Sequence, residues 1–237
     1  MKNKDDIIRN NKLYEEANNF VTKLHLKSLK NFSLRDNIDL IGFHGQTIHH
    51  DPVKKKSIQL GNPYLLSKES KKNIIYSFRS DDIKSGGQGA PIAPIYHKYL
   101  MDKFSFKLPS CFLNIGGILN LTYWDGKTLI GFDLGPGNCL MDDFIQLVSD
   151  NFFDKDGFIA SKGTVDKKFA KSFSRDIFFQ IKPPKSLDKN YFNNYLNALV
   201  LKNHSKENTM ATLLELTIIS IVNSLKFLPN KIKSFLR

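Results

Sequence analysis

Between Cys111 and Asn138 the chain has few ways to fold. Three apolar runs, Cys111–Ile115, Leu119–Trp124 and Thr128–Asp133, are separated by turn signals and read as strands. Asp125-Gly126 between the second and third is a hairpin signal, because Asp and Gly tolerate the positive φ that tight hairpins demand. Gly116-Gly117 lies between the first and second, and Gly135-Pro136-Gly137-Asn138 follows the third. Paired glycines between apolar strands permit a tight hairpin with positive φ, where backbone N–H groups can face a phosphate; an ordinary glycine turn has the same composition. The second turn runs into a helix from Leu140 to Val148, whose N-terminus could hold an anion or simply follow a tight turn. Neither segment is a Walker motif or a GxGxxG fingerprint.

The flanking chain alternates helix and strand. Ile7, Ile8, Tyr14, Ala17, Val21 and Leu24 recur at helical spacing and predict an amphipathic helix over Asp6–Leu26. Ile38–Phe43 reads as a buried strand ending in the loop His44-Gly45-Gln46-Thr47, and Ser57–Asn62 as another strand closing in a turn. A short helix over Pro63–Ser70 and a strand over Asn73–Phe78 come next. The stretch Arg79–Pro91 is too glycine-rich for a regular element, and a helix is expected to open at Pro91. The chain turns polar over residues 102–110, which suggests a domain boundary there. Asp166–Phe173, Tyr191–Leu199 and Met210–Phe227 are further helices. The stretch from Met210 to Leu228 is apolar, but Glu215, Asn223 and Lys226 interrupt it, so it suits a core helix better than a membrane span.

The formal net charge of +12 could attract nucleic acid, a membrane or a phosphorylated ligand. Lys54-Lys55-Lys56 and Lys71-Lys72 cluster with no aromatic residues among them, so a solvated basic surface is the better reading. Cys111 and Cys139 lie in no CxxC pair, which fits a reduced cytoplasmic protein. The polar start at Met1–Asp6 is not that of a signal peptide.

Asp82 is the best candidate for a general base, standing before Gly86-Gly87-Gln88-Gly89 and close to Arg79; a capping or solvated aspartate is the plainer alternative. Its neighbour Asp81 is expected to face solvent if Asp82 does not, because two buried like charges would oppose each other. His44, Gln46 and Thr47 follow a strand, where sugar or phosphate ligands gather in α/β folds, or form an ordinary polar loop. Asp133 ends a strand between the two glycine turns and could hold a metal-bound water or cap the next turn.

Six segments occur in the order found in the anhydro-N-acetylmuramic acid kinases: His44–Thr47, Arg79–Pro91, Leu113–Thr122, Gly131–Asn138, Asp154-Lys155-Asp156-Gly157 and Pro183-Pro184-Lys185-Ser186. From about residue 10 onward the chain resembles that family. The resemblance implies an α/β chain with the two-lobed actin-like ATPase (ribonuclease H-like) fold, incomplete in both lobes. Residues 1–109 would form part of lobe one, with the sugar site and the base, and residues 110–237 part of lobe two, with the phosphate-binding hairpin. It also implies transfer of phosphate from ATP, with Mg2+, to 1,6-anhydro-N-acetylmuramic acid while water opens the anhydro ring. Asp82 would take the proton of that water. His44, Gln46, Thr47 and Arg79 would serve the sugar. Gly116, Gly117, Asn120, Asp133, Gly135 and Gly137 would serve ATP and its phosphates. The sugar and ATP are the expected partners, with no nucleic acid, no membrane and no side chain assigned as a metal ligand; a homodimer is compatible with the resemblance.

The chain also departs from the family pattern. No Gly-Thr-Ser-x-Asp-Gly phosphate loop opens it, and no Gly-Gly-Gly adenosine loop follows the helix at Met210–Phe227. The family pattern has Asp where Ser77 stands and a basic residue where Asp81 stands. These differences lead to the expectation of a chain shortened at both ends. It would be a kinase needing a second polypeptide, or a remnant that at most binds the sugar.

Overall fold

Asn10 splits the helix expected over Asp6–Leu26. In the computed structural model, which describes residues 4–32, 37–51, 54–188, 190–229 and 234–236, α1 spans Lys4–Arg9 and α2 spans Asn11–Lys30. Asn10 is extended, and its Oδ1 accepts from the N–H groups of Lys12 and Leu13 at 3.0 and 3.2 Å, which caps α2. Met1–Asn3 and Arg237, which bear on the expectations about the chain ends, lie outside the described residues.

The chain forms two compact units, Met1–Ala90 and Pro91–Arg237. In the first unit, β1 (Leu40–Gly42) leads into a hairpin of β2 (Gln46–Asp51) and β3 (Lys56–Leu60). Then come α3 (Pro63–Ser70), β4 (Asn73–Ile75) and α4 (Phe78–Lys84). β1 and β4 pair in parallel, with Ile41 opposite Ile74. Gln46 and Thr47, expected in a loop, begin a strand and pair with Leu60 and Gln59. β4 is shorter than expected because Ser77 takes a left-handed conformation (φ 66°) and starts α4.

The buried face of α2 is not the apolar stripe. Leu24 is 48% exposed, whereas Asn18 and Thr22 are buried. Asn18 Oδ1 accepts from Gly61 N at 2.6 Å and Thr22 Oγ1 accepts from Asn62 N at 2.8 Å. The helix therefore docks by satisfying the backbone of the β3–α3 turn, whose donors would otherwise be orphaned.

The second unit begins with α5 (Pro94–Lys103), three residues later than Pro91 would suggest, and continues with β5 (Ser110–Ile115), β6 (Ile118–Trp124) and β7 (Leu129–Pro136). α6 (Cys139–Val148), α7 (Lys167–Phe173), α8 (Asn193–Val200), α9 (Lys206–Ser224) and β8 (Ser234–Leu236) complete it. The sheet order is β7-β6-β5-β8, antiparallel except for the β5–β8 pair. The boundary between units falls ahead of the 109/110 division suggested by the polar stretch, because α5 is bonded to this sheet. His97 Nδ1 meets Thr122 Oγ1 at 2.8 Å, and Trp124 Nε1 donates to Asp102 Oδ1 at 2.8 Å.

Leu119, Leu121, Tyr123, Phe132 and Leu134 are fully buried in the sheet. A second apolar cluster joins Phe144, Phe173, Phe178, Phe179 and Phe192 to Met210, Leu213 and Leu216 of α9. By length and composition α9 and the turn after it, Lys206–Phe227, could cross a membrane, but the face carrying Met210, Leu213 and Leu216 is built into this core. Phe173 lies 5.2 Å from both Phe179 and Phe192, ring centre to ring centre. Full burial of one such ring contributes roughly 1.5–3 kcal/mol.

Candidate active site

Asp82 lies in α4, not in an irregular loop, and the glycine-rich segment folds back over it. Gly89 N donates to Asp82 Oδ2 at 2.7 Å, and Gly87 N to the Asp82 carbonyl at 2.8 Å. A Cβ on Gly87 would stand 2.1 Å from Asp82 Oδ2, so any larger residue there would push the carboxylate aside. Gly89 needs glycine for another reason, its φ of +69°. The bond from Gly89 holds one carboxylate oxygen, and Oδ1 has no hydrogen-bond partner among the described residues. Asp81 and Asp82 are both exposed, so the opposition expected of two buried charges does not arise. Asp81 pairs with Lys84 at 3.0 Å.

Arg79, one turn before Asp82 in α4, joins the loop to the first strand. Its Nε donates to His44 Nε2 at 2.8 Å and its Nη1 to the Gly89 carbonyl at 2.6 Å. His44 Nδ1 lies 3.0 Å from the Gly45 carbonyl, so the bonding pattern puts the ring proton on Nδ1. His44 and Arg79 line a cavity of about 460 Å3 together with Asn18, Asn62, Tyr64 and Tyr76. Gln46 and Thr47 do not line it; pairing draws them into the hairpin, where Gln59 Nε2 approaches Thr47 Oγ1 at 3.4 Å. The sequence signal for Asn18 was a polar residue on the inner side of a helix, next to Ala17.

In the second unit the two glycine turns are bonded to each other. Gly137 N donates to the Gly117 carbonyl and Asn138 N to the Gly116 carbonyl, both at 2.9 Å. Three expectations are corrected by this geometry. First, neither Gly116 nor Gly117 takes a positive φ, and a Cβ on either would make only ordinary contacts, at 3.6 and 3.7 Å. Second, Gly135 lies in β7 and not in the turn; it is glycine because α9 packs on it, a Cβ there falling 2.4 Å from Ser220 Oγ. Third, Gly137 spends its N–H on Gly117, so it braces the first turn and has no donor left for a phosphate. A Cβ on Gly137 would lie 2.0 Å from the Gly116 carbonyl oxygen. Thr217 of α9 holds the brace from behind, its Oγ1 donating to the Gly137 carbonyl at 2.7 Å.

The braced turn presents backbone. Gly117 is exposed, and among the described residues the N–H groups of Gly116 and Gly117 have no acceptor, while their carbonyls are engaged. Unfilled N–H donors with no side chain over them are what an anionic oxygen needs. Asn120 pairs across the sheet with Asn114 on one side and Asp133 on the other, beside a bulge between Leu119 and Asn120.

Asp133 is committed to the fold. It is 7% exposed, its N–H donates to the Lys185 carbonyl at 3.1 Å, and its Oδ2 accepts from Leu187 N at 2.8 Å. Leu187 lies 54 residues further along the chain, so this bond ties distant segments together and is not a cap of the next turn. Among the described residues no group of three or more His, Cys, Asp or Glu side chains could hold a metal ion. Lys185 was part of a motif but had no role in the sequence reading. It is 4% exposed; its Nζ donates to the Phe178 carbonyl at 3.0 Å and sits 4.1 and 4.8 Å from the ring centres of Phe178 and Phe227. Burial lowers its pKa to about 8, with nearby Lys226 pushing the same way and Asp133 opposing. Burial likewise raises the Cys111 thiol to about 12, so it stays protonated.

The family profile described as anhydro-N-acetylmuramic acid kinase matches residues 1–236. A protein of that name from Rhodopseudomonas palustris (strain BisB18) is 39% identical over 90% of this chain and 59% of its own length. Another from Bradyrhizobium diazoefficiens is 37% identical over 93% of this chain and 61% of its own. A third, from Pseudomonas syringae pv. tomato, is 42% identical over 80% and 52%. The chain thus spans about three-fifths or less of the length of these curated relatives.

Proposed function

The chain belongs to the anhydro-N-acetylmuramic acid kinase family, and from that premise we propose that it acts in the ATP-dependent phosphorylation of 1,6-anhydro-N-acetylmuramic acid. The anhydro ring opens in the same reaction, giving N-acetylmuramic acid 6-phosphate for cell-wall recycling. The two units are read as belonging to the two lobes of the actin-like ATPase fold.

The observation that carries this reading is the Asp82 carboxylate, with Oδ2 held by Gly89 N and Oδ1 open. A carboxylate oriented through one oxygen can accept a proton through the other, a contribution of roughly a hundred- to ten-thousand-fold in rate. Asp82 takes a proton from water as the water oxygen bonds to the anomeric carbon. The bond from that carbon to the 6-oxygen breaks, and the freed 6-oxygen attacks the γ-phosphorus of ATP, with ADP leaving. The cavity lined by His44 and Arg79 is of a size for one modified monosaccharide. The N–H groups of Gly116 and Gly117 suit the phosphates of ATP as substrate, where positioned donors offset developing charge. Mg2+ would neutralise phosphate charge when bound to ATP.

The test is calorimetry and turnover with the full chain. Binding of the anhydro sugar and of ATP, with ADP release that Asp82→Asn abolishes, is the expected result. Sugar binding without ATP binding would leave a sugar-binding protein, and binding of neither would end the proposal.

A further inference from the structure

The cavity lined by His44 and Arg79 carries a pair of tyrosines that the reaction above does not use. Tyr64 stands at the start of α3 and Tyr76 just after β4, and both line that cavity. They are 73% and 38% exposed. Their ring centres are 5.8 Å apart with planes inclined at 64°, an edge-to-face arrangement that leaves ring surface uncovered. The hydroxyl oxygens are 2.8 Å apart, so one O–H donates to the other and one hydrogen remains to donate outward. That shared bond also raises the pKa of Tyr76, so its hydroxyl stays protonated at neutral pH. The Arg79 guanidinium at the same cavity already gives N–H groups to His44 and to the Gly89 carbonyl.

Open ring surface beside an outward hydroxyl matches a ligand group that joins an apolar carbon to an acceptor oxygen. The lactyl ether of the sugar, a methyl group next to a carboxylate, has that chemistry. We propose that Tyr64 and Tyr76 form the subsite that selects the lactyl group, the ring of Tyr64 packing on the methyl and the outward hydroxyl donating to the carboxylate. The proposal rests on the sugar-binding reading above.

The test compares two sugars by calorimetry with the full chain: 1,6-anhydro-N-acetylmuramic acid and 1,6-anhydro-N-acetylglucosamine, which lacks only the lactyl ether. The wild-type chain should prefer the lactyl sugar about tenfold. Tyr64→Ala should erase that preference and leave the affinity for the second sugar within about twofold. Tyr64→Phe/Tyr76→Phe keeps both rings and should lose the carboxylate part of the preference while retaining part of it through the methyl contact. Tyr64 is at the surface, so circular dichroism and melting should be unchanged in both variants. A wild-type chain that binds both sugars equally, or a Tyr64→Ala chain that keeps the full preference, overturns the subsite and leaves the sugar-binding reading intact. If the wild-type chain binds neither sugar, both fall.

Discussion

Gly117→Ala and Gly137→Ala separate two uses of glycine that look alike in the sequence. At Gly137 the added methyl would stand 2.0 Å from the Gly116 carbonyl oxygen, a backbone atom in a braced turn. Relief of that overlap must break the Gly137–Gly117 and Asn138–Gly116 hydrogen bonds, each 2.9 Å long. Overpacking costs about 1–3 kcal/mol, and two backbone bonds about 0.5–1.5 kcal/mol each, so the variant should lose about 2–6 kcal/mol. Its melting temperature should fall by at least roughly 5 °C. At Gly117 the new methyl meets only Cys139 Cβ, at 3.7 Å, and φ is not positive. Stability should change by less than about 1 kcal/mol in either direction. The methyl would, however, cover the N–H groups offered to phosphate. Losing one charge-assisted bond costs about 1.5–3 kcal/mol, or roughly 10- to 150-fold in ATP affinity. Scanning fluorimetry and ATP calorimetry on both variants decide the matter. A folded Gly117→Ala chain that binds ATP as well as wild type refutes the phosphate role of this turn. A Gly137→Ala chain that melts like wild type refutes the brace.

Other perturbations give equally definite outcomes. Asp82→Asn should lower ADP release by about 10²–10⁴-fold in a coupled assay, with sugar affinity changed no more than a few-fold. Lys185 has a folded pKa of about 8 against 10.5 unfolded, so the unfolded chain binds more protons between those values. Its contribution to stability is therefore greatest above pH 10.5 and is lost as pH falls to 8. Relative to Lys185→Met, wild type should gain up to about 3 kcal/mol across that window in urea titrations. Phe173→Ala, which empties a fully buried position among Phe179, Phe192 and Tyr195, should cost about 3–5 kcal/mol in urea titrations at neutral pH.

Several features were legible because they are local. The hairpin at Asp125-Gly126, the strands on either side of Gly116-Gly117 and the helix after Asn138 follow from periodicity and turn chemistry, which act within a few residues. Asp82 was singled out by its neighbours along the chain, and the same neighbours, Gly87 and Gly89, are what fold over it. Helical structure at Phe78–Lys84 was missed because the glycines that follow it dominate the local composition. The buried side of α2 was missed because its partner, the backbone of Gly61 and Asn62, is more than 35 residues away.

The sequence alone determined which residues could approach a phosphate or hold a proton, because glycine and aspartate carry those capacities wherever they stand. Tertiary structure decided how each capacity is used. Gly116 and Gly117 have open N–H groups among the described residues, while Gly137 and Asn138 from a facing turn occupy their carbonyls. Gly135 and Gly137 are spent on packing against Ser220 and the facing turn. Asp133 is spent on Leu187 N. A backbone N–H serves one partner at a time, and its nearest partner in space is set by pairings between distant segments.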